Sequence, residues 1–233
     1  MPRVLYTLLA TLHWTPRLRS IERSLQLLNA PNVDTHQTTP DTPPAVAPIV
    51  DTHQTAPSGD TPNVDTHRIA PNVDTHRIVD IGCGPGWLSR LAVTLGYSYL
   101  GVDPAAAKAK AVSGGRIEPL DADAVREKLR PADIVVLNGV AHHLDDTTLG
   151  GVLGAARRTT ALLICDHRSE PANHALNRLL QRYDRGKYIR PVTHFFRLQG
   201  YDTMHLDRFN ITWLGLPIWA YFTGLYRPTR SEP

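Results

Sequence analysis

The stretch that most constrains this chain is Arg77-Ile-Val-Asp-Ile-Gly-Cys-Gly-Pro-Gly86, an apolar run that ends in Asp-x-Gly-x-Gly-x-Gly. Ile78, Val79 and Ile81 read as a short buried parallel strand. Gly82, Gly84 and Gly86 let the following turn pass close to a ligand with no side chain in the way. Trp87 to Leu95 then reads as a helix, and strand, turn and helix together build a nucleotide-cofactor site. Dinucleotide sites place Gly-x-Gly-x-x-Gly in the same setting and rest a pyrophosphate on the helix N-terminus. Here the spacing is Gly-x-Gly-x-Gly, with Asp80 in front of it. A carboxylate at that point repels a pyrophosphate, whereas it accepts hydrogen bonds from an ammonium group or fixes the turn. The ligand is therefore expected to be cationic at that end.

The next segments alternate as an α/β chain does. Tyr97-Ser-Tyr-Leu-Gly-Val-Asp103 is a second strand, tipped by a carboxylate placed to take both hydroxyls of an adenosine ribose. A third strand, Arg116 to Leu120, leads to Asp121-Ala122-Asp123, where one carboxylate can accept from an adenine amino group; Asp121 is preferred over Asp123. A fourth, Asp133 to Asn138, runs into Gly139-Val-Ala-His-His-Leu-Asp-Asp146. Asp80 and Asp103 also have a plainer reading as turn or capping acids.

Residues 77 to about 146 resemble the class I S-adenosylmethionine-dependent methyltransferases, through the Asp-x-Gly-x-Gly-x-Gly run, the acid tipping strand two and the His-His-Leu after strand four. The resemblance implies a doubly wound, Rossmann-like α/β sheet, mostly parallel with an antiparallel C-terminal strand and helices on both faces. The cofactor, S-adenosyl-L-methionine, would lie across the carboxyl ends of the strands where the strand order reverses. Asp80, Gly82, Gly84 and Gly86 would then hold the methionine end, Asp103 the ribose and Asp121 the adenine. Methyl acceptors approach past the fourth strand in this family, so His142 or His143 could take a proton from an acceptor hydroxyl. Equally, one of them packs against a helix while the other caps or faces solvent. A sulfonium methyl is already activated, so in-line positioning can suffice with no base at all. Tyr183-Asp-Arg-Gly-Lys-Tyr-Ile-Arg190 is similar to an Asp-Arg-Gly stretch of some bacterial small-molecule methyltransferases.

With 42% hydrophobic and 20% charged residues, the 233-residue chain has the make-up of a soluble enzyme of one or two domains. Residues 31–76 break that pattern. They repeat an Asp-Thr-His unit at Asp34, Asp51, Asp65 and Asp74, and hold eight of the 19 prolines and no aromatic residue. Without apolar periodicity such a segment cannot offset its ordering entropy, so a disordered low-complexity insertion is expected between an N-terminal helical segment (1–30) and the methyltransferase domain (77–233). The uneven intervals exclude a solenoid, and no metal site is assigned, because metal-ligand spacings are tighter.

Val4, Leu5, Leu8, Leu9 and Leu12 recur at helical spacing before Pro16, and Ile21, Leu25 and Leu28 share a face after it, which predicts two short helices. The first apolar run is too short to span a bilayer and no cleavage site follows it, so a cytoplasmic protein is expected. Outside the repeat, 24 basic residues face 16 acidic ones. Arg178, Arg182, Arg185, Lys187 and Arg190 cluster either as a solvated basic face or as a recruiter of an anionic substrate or surface. Nucleic acid is disfavoured as a partner, since Asn138-Gly-Val-Ala is not the Asn/Asp-Pro-Pro-aromatic run of base-amino methylating enzymes. The aromatic stretch Phe209 to Tyr226 predicts a closing antiparallel strand pair turning at Gly215 to Pro217, with core packing preferred over an acceptor pocket or peripheral membrane contact. Cys83 and Cys165 are expected as reduced, buried thiols.

The expected activity is methylation, chiefly O-methylation, of a small-molecule and lipid-like acceptor. Its alternative is a non-catalytic cofactor-binding protein acting through a partner. A nicotinamide-dependent oxidoreductase is disfavoured by the glycine spacing.

Overall fold

The computed structural model describes residues 3–29, 76–105, 116–169, 175, 177, 181, 186–213 and 216–229, with the side chains of the N-terminal helix described from Thr15 onward. The Asp-Thr-His repeats up to Asp74 lie outside these residues, as do Arg178, Arg182 and Arg185.

Seven strands form one sheet in the order β3-β2-β1-β4-β5-β7-β6. The strands are β1 (Arg77–Ile81), β2 (Ser98–Val102), β3 (Arg116–Glu118), β4 (Asp133–Asn138), β5 (Ala161–His167), β6 (Tyr201–Trp213) and β7 (Leu216–Pro228). The first five run parallel, and β7 pairs antiparallel with both β5 and β6. The order reverses between β1 and β4, which is the switch point of a doubly wound sheet.

The central strands are apolar on both faces because helices cover both. With the two-residue period of a strand, Val79, Ile81, Val135, Leu137, Leu162 and Ile164 enter one core, against Leu149, Val152 and Ala156 of α4 (Asp146–Ala156). Ile78, Ile134, Val136, Leu163 and Cys165 enter the other, against Ile21 and Leu25 of α1 (Arg3–Asn29) and Leu88 and Ala92 of α2 (Leu88–Thr94). The short α3 (Ala122–Val125) packs against α4, with Val125 in the same core as Leu149 and Val152.

Two expectations need correction. Pro16 does not split the N-terminal segment into two helices: α1 is continuous from Arg3 to Asn29 with Pro16 inside. The proline removes one backbone donor, but the residues after it are held by the docking of Ile21 and Leu25, both fully buried, so the helix is kept by packing. In the C-terminal hairpin, Leu216 and Pro217, expected in the turn, belong to β7 and pair with Trp213 and Thr212, while Gly215 lies outside the described residues. β6 also starts earlier than the aromatic stretch, at Tyr201. The aromatic residues of β7 are core: Tyr221, Phe222 and Tyr226 are all buried. No helix among the described residues is long and apolar enough to cross a membrane.

Candidate functional site

The carboxyl ends of β1, β2 and β4 meet around the glycine turn. Gly82 has φ 70°, and a Cβ on it would overlap the Val140 side chain, so a glycine is required where the turns after β1 and β4 touch. Gly84 (φ 53°) differs: nothing stands within 4 Å of where its Cβ would be, so its missing side chain leaves open space beside the backbone. Gly86 continues the turn at φ 79°. Asp103, one residue past β2, accepts from the Gly84 N–H through Oδ2 (2.9 Å) and from the Ala105 N–H through Oδ1 (2.8 Å). It thereby fastens the glycine turn to the tip of β2.

A cleft of about 550 Å³ opens at this point, lined by Gly82, Asp103, Asp121, Val140 and His143 among others. Asp121 also caps α3, accepting from the Ala124 N–H at 2.7 Å. Asp123 lines the cleft too and pairs with Arg126 at 3.1 Å. The cleft thus gathers Gly82, Asp103, Asp121 and His143 from four separate stretches of sequence.

Asp80 lies beneath the turn and is buried. Its Oδ2 accepts from the Tyr99 hydroxyl at 2.8 Å, while its buried Oδ1 has no hydrogen-bond partner. Burial pushes this carboxyl up to about 7; the Tyr99 hydrogen bond and the Arg17 guanidinium pull against that, and Asp103 adds to it. Burial chiefly, with Asp80 and Asp103 behind it, pushes the Cys83 thiol up to about 12, so the cysteine of the turn is a poor nucleophile. Both cysteines are free and buried.

The two histidines part company. His143 is exposed and lines the cleft. His142 is 5% exposed, and its Nδ1 sits 2.5 Å from Asp166 Oδ1, while its backbone N–H donates to Asp166 Oδ2 at 3.1 Å. Asp166, near the end of β5, also accepts from the His167 N–H at 2.6 Å. Burial raises the Asp166 pKa, but His142 and His167 outweigh it, and the carboxyl stays below the ordinary carboxylate range. A carboxylate only accepts, so the His142 ring carries a proton on Nδ1 where it meets Asp166. The ring packs edge-on against His167, whose Nε2 is 3.1 Å from the Tyr221 hydroxyl, and a Cβ at Gly186 would overlap His142.

Of the expected basic cluster, Arg178, Arg182 and Arg185 lie outside the described residues and Lys187 is exposed, whereas Arg190 departs from the expectation. It is buried, and its guanidinium donates to the Ala141 carbonyl (2.8 Å), the Leu144 carbonyl (2.9 Å) and Asp146 Oδ1 (2.6 Å). The charge is spent on the turn after β4, so it is neither solvated nor presented to a partner. Sequence reasoning missed Tyr99, Asp166 and Arg17. Asp166 had a signal, since it ends an apolar strand as Asp103 follows one; Tyr99 and Arg17 had none, because their partners are 19 and 121 residues away.

An open parallel sheet with a glycine turn and a strand-two acid at its switch point defines a nucleotide-cofactor enzyme of the doubly wound class. Residues 61–205, more than half of the chain, match the methyltransferase-domain family, and the protein belongs to that family. Among solved structures it is similar to an S-adenosylmethionine-dependent methyltransferase from Methanosarcina mazei. That match has 13% identity and a TM-score of 0.53, and covers 68% of this chain and 94% of that one. A protein studied for the conversion of a disulfide bond into a thioacetal group during echinomycin biosynthesis matches at 20% identity and a TM-score of 0.50. Here the match covers 66% of this chain and 76% of that one. At these identities the likeness speaks for the fold. No curated protein sequence matches the chain.

Proposed function

We propose that this methyltransferase uses S-adenosyl-L-methionine to methylate a hydroxyl of a small, lipid-like acceptor. The observation that carries the reading is the pair of acids around one glycine turn: Asp80, with a buried oxygen lacking a partner, and Asp103, turned toward the cleft. These residues fit the cofactor. The orphaned Asp80 oxygen suits an ammonium, the open side of Gly84 gives a ligand room against the backbone, and Asp103 suits a ribose diol. Asp121 and Ala122 would border the adenine. When bound, the cofactor supplies an activated methyl group on a sulfonium.

The chain's own part is to position and to move a proton. His143, which lines the cleft, or His142, whose ring Asp166 holds through Nδ1, would take the proton of the acceptor hydroxyl.

Calorimetric titration of S-adenosylmethionine and S-adenosylhomocysteine tests the first half. Both are expected to bind, and Asp103→Ala is expected to weaken both by roughly ten- to hundredfold through loss of charged hydrogen bonds. Label transfer from a methyl-labelled cofactor to small phenols and alcohols tests the second. No binding of either nucleoside by the intact chain removes the reading. Binding without transfer to any acceptor favours a cofactor-binding protein that acts through a partner.

A further inference from the structure

Helix α1 lies along the sheet in a defined direction. Its Arg17 reaches the Asn138 side chain at the end of β4 and lies over Tyr221, which pairs with His167 at the end of β5. Further along, the Leu25 carbonyl accepts from the hydroxyl of Tyr97, the residue just ahead of β2. The helix therefore descends from the carboxyl ends of the strands toward their amino ends. Its first part, before Pro16, continues the other way. At about 1.5 Å per residue, residues 3–14 carry α1 roughly 18 Å further, past the end of the sheet at which the cleft opens.

The described side chains fix the two faces of the helix. Arg17, Ser20, Ile21, Ser24 and Leu25 are buried, whereas Thr15, Arg19, Arg23, Gln26 and Leu27 are exposed. With 3.6 residues per turn, the outer face runs back in steps of three or four, from Arg23 and Arg19 through Thr15 to positions 12, 8, 5 and 4. Those positions hold Leu12, Leu8, Leu5 and Val4, and Leu9 adjoins them. The outer face thus changes character at Thr15. It is basic and polar where α1 lies on the domain, and aliphatic in register where α1 passes the end of the sheet.

An aliphatic stripe on the outer register of a docked helix calls for a partner. Residues 31–76 do not supply one, since they hold no aromatic residue and no apolar periodicity. Charge points to the occupant: Arg3 and Arg19 bracket the stripe, and no acid occurs before Glu22. A short aliphatic face bordered by arginines fits the boundary between anionic headgroups and acyl chains, where a helix lies in the plane of the interface.

We propose that the Val4–Leu12 face of α1 binds the surface of an anionic lipid bilayer, which turns the mouth of the cleft toward the membrane. The contact deepens the reading of a lipid-like acceptor and rests on that reading for its use: an acceptor dissolved in the bilayer reaches the cleft without crossing water.

Co-sedimentation of the full chain with phosphatidylcholine vesicles, with and without phosphatidylglycerol, tests this. The wild type is expected to bind the phosphatidylglycerol vesicles at least about tenfold more tightly than the neutral ones at low salt. Leu8→Glu/Leu12→Glu is expected to weaken that binding at least about tenfold, with the urea midpoint and the S-adenosylhomocysteine affinity unchanged. Arg19→Gln is expected to weaken it by roughly fivefold, the scale of one cation near a charged surface. A wild type that stays in the supernatant overturns the inference, and so does equal vesicle binding by Leu8→Glu/Leu12→Glu. A lower urea midpoint in that variant would make the stripe part of the core. A wild-type dimer in light scattering that the variant dissolves would make it a contact between two copies. Either result replaces the membrane as the occupant and overturns the inference. Vesicle binding by a chain that binds no S-adenosylhomocysteine upholds the surface contact and removes the cofactor reading, so the two fail separately.

Discussion

Asp80 is a carboxyl that the fold keeps against its own preference. Burial favours its neutral form, and the Tyr99 hydroxyl satisfies only one of its two oxygens. As pH rises from about 4 to about 7, Asp80 of the unfolded chain ionises while the folded one keeps its proton, so the folded state binds more protons and loses stability. The contribution is complete below the unfolded pKa and gone once pH passes the folded value of about 7. The loss amounts to about 4 kcal/mol for a shift of this size. Urea unfolding of the wild type and Asp80→Asn at about pH 4 and about pH 8 is expected to show the wild type losing stability relative to the variant at the higher pH. A constant difference between the two proteins would show that folding leaves the Asp80 pKa unshifted. Asp166 acts with the opposite sign: its lowered pKa stabilises the fold above the ordinary carboxylate range, and that support is lost as pH falls through the folded value.

At the scale of elements, the turn between β4 and α4 is held by a residue that follows it by 44 positions or more. Arg190 bonds the Ala141 and Leu144 carbonyls and Asp146, and the Tyr188 N–H donates to the His142 carbonyl at 3.0 Å. Gly186 completes this strap because no side chain fits between its backbone and the His142 ring. Arg190→Ala leaves two carbonyls without their donor and is expected to cost about 2–4 kcal/mol, read as a lower urea midpoint. Arg190→Lys is expected to recover little of that, since a single ammonium cannot span three acceptors lying in different directions. If Arg190→Ala unfolds at the wild-type midpoint, the strap is not what orders the turn.

At the scale of the whole molecule, α1 and the β1–β5 core meet across residues 31–75. The apolar face Ile21, Leu25 and Leu28 docks beside α2, and Ser20 and Arg23 approach Asp207 of β6 at 3.3 and 4.0 Å. The repeat has no apolar periodicity to add to that packing. Replacing residues 31–75 with a Gly/Ser linker of the same length is therefore expected to leave the denaturant midpoint and the S-adenosylhomocysteine affinity unchanged within error. A large drop in either would give the repeat a structural part that its composition does not foretell.

What the sequence determined by itself is whatever depends on short-range spacing. Four of the five parallel strands and the glycine turn could be read because strand periodicity and a turn's backbone demands are written in adjacent residues. The family followed from the same few positions. What only the tertiary structure decided is where long-range partners fall. Pro16 sits inside a helix because distant packing holds its flanks, and Arg190 is an internal strap because three acceptors from the turn after β4 converge on it. His142 and His143, adjacent in sequence and alike in chemistry, part because one meets the Asp166 carboxylate from β5 and the other meets the cleft. Burial and charge pairing are properties of residues brought together from far along the chain, and no local pattern encodes them.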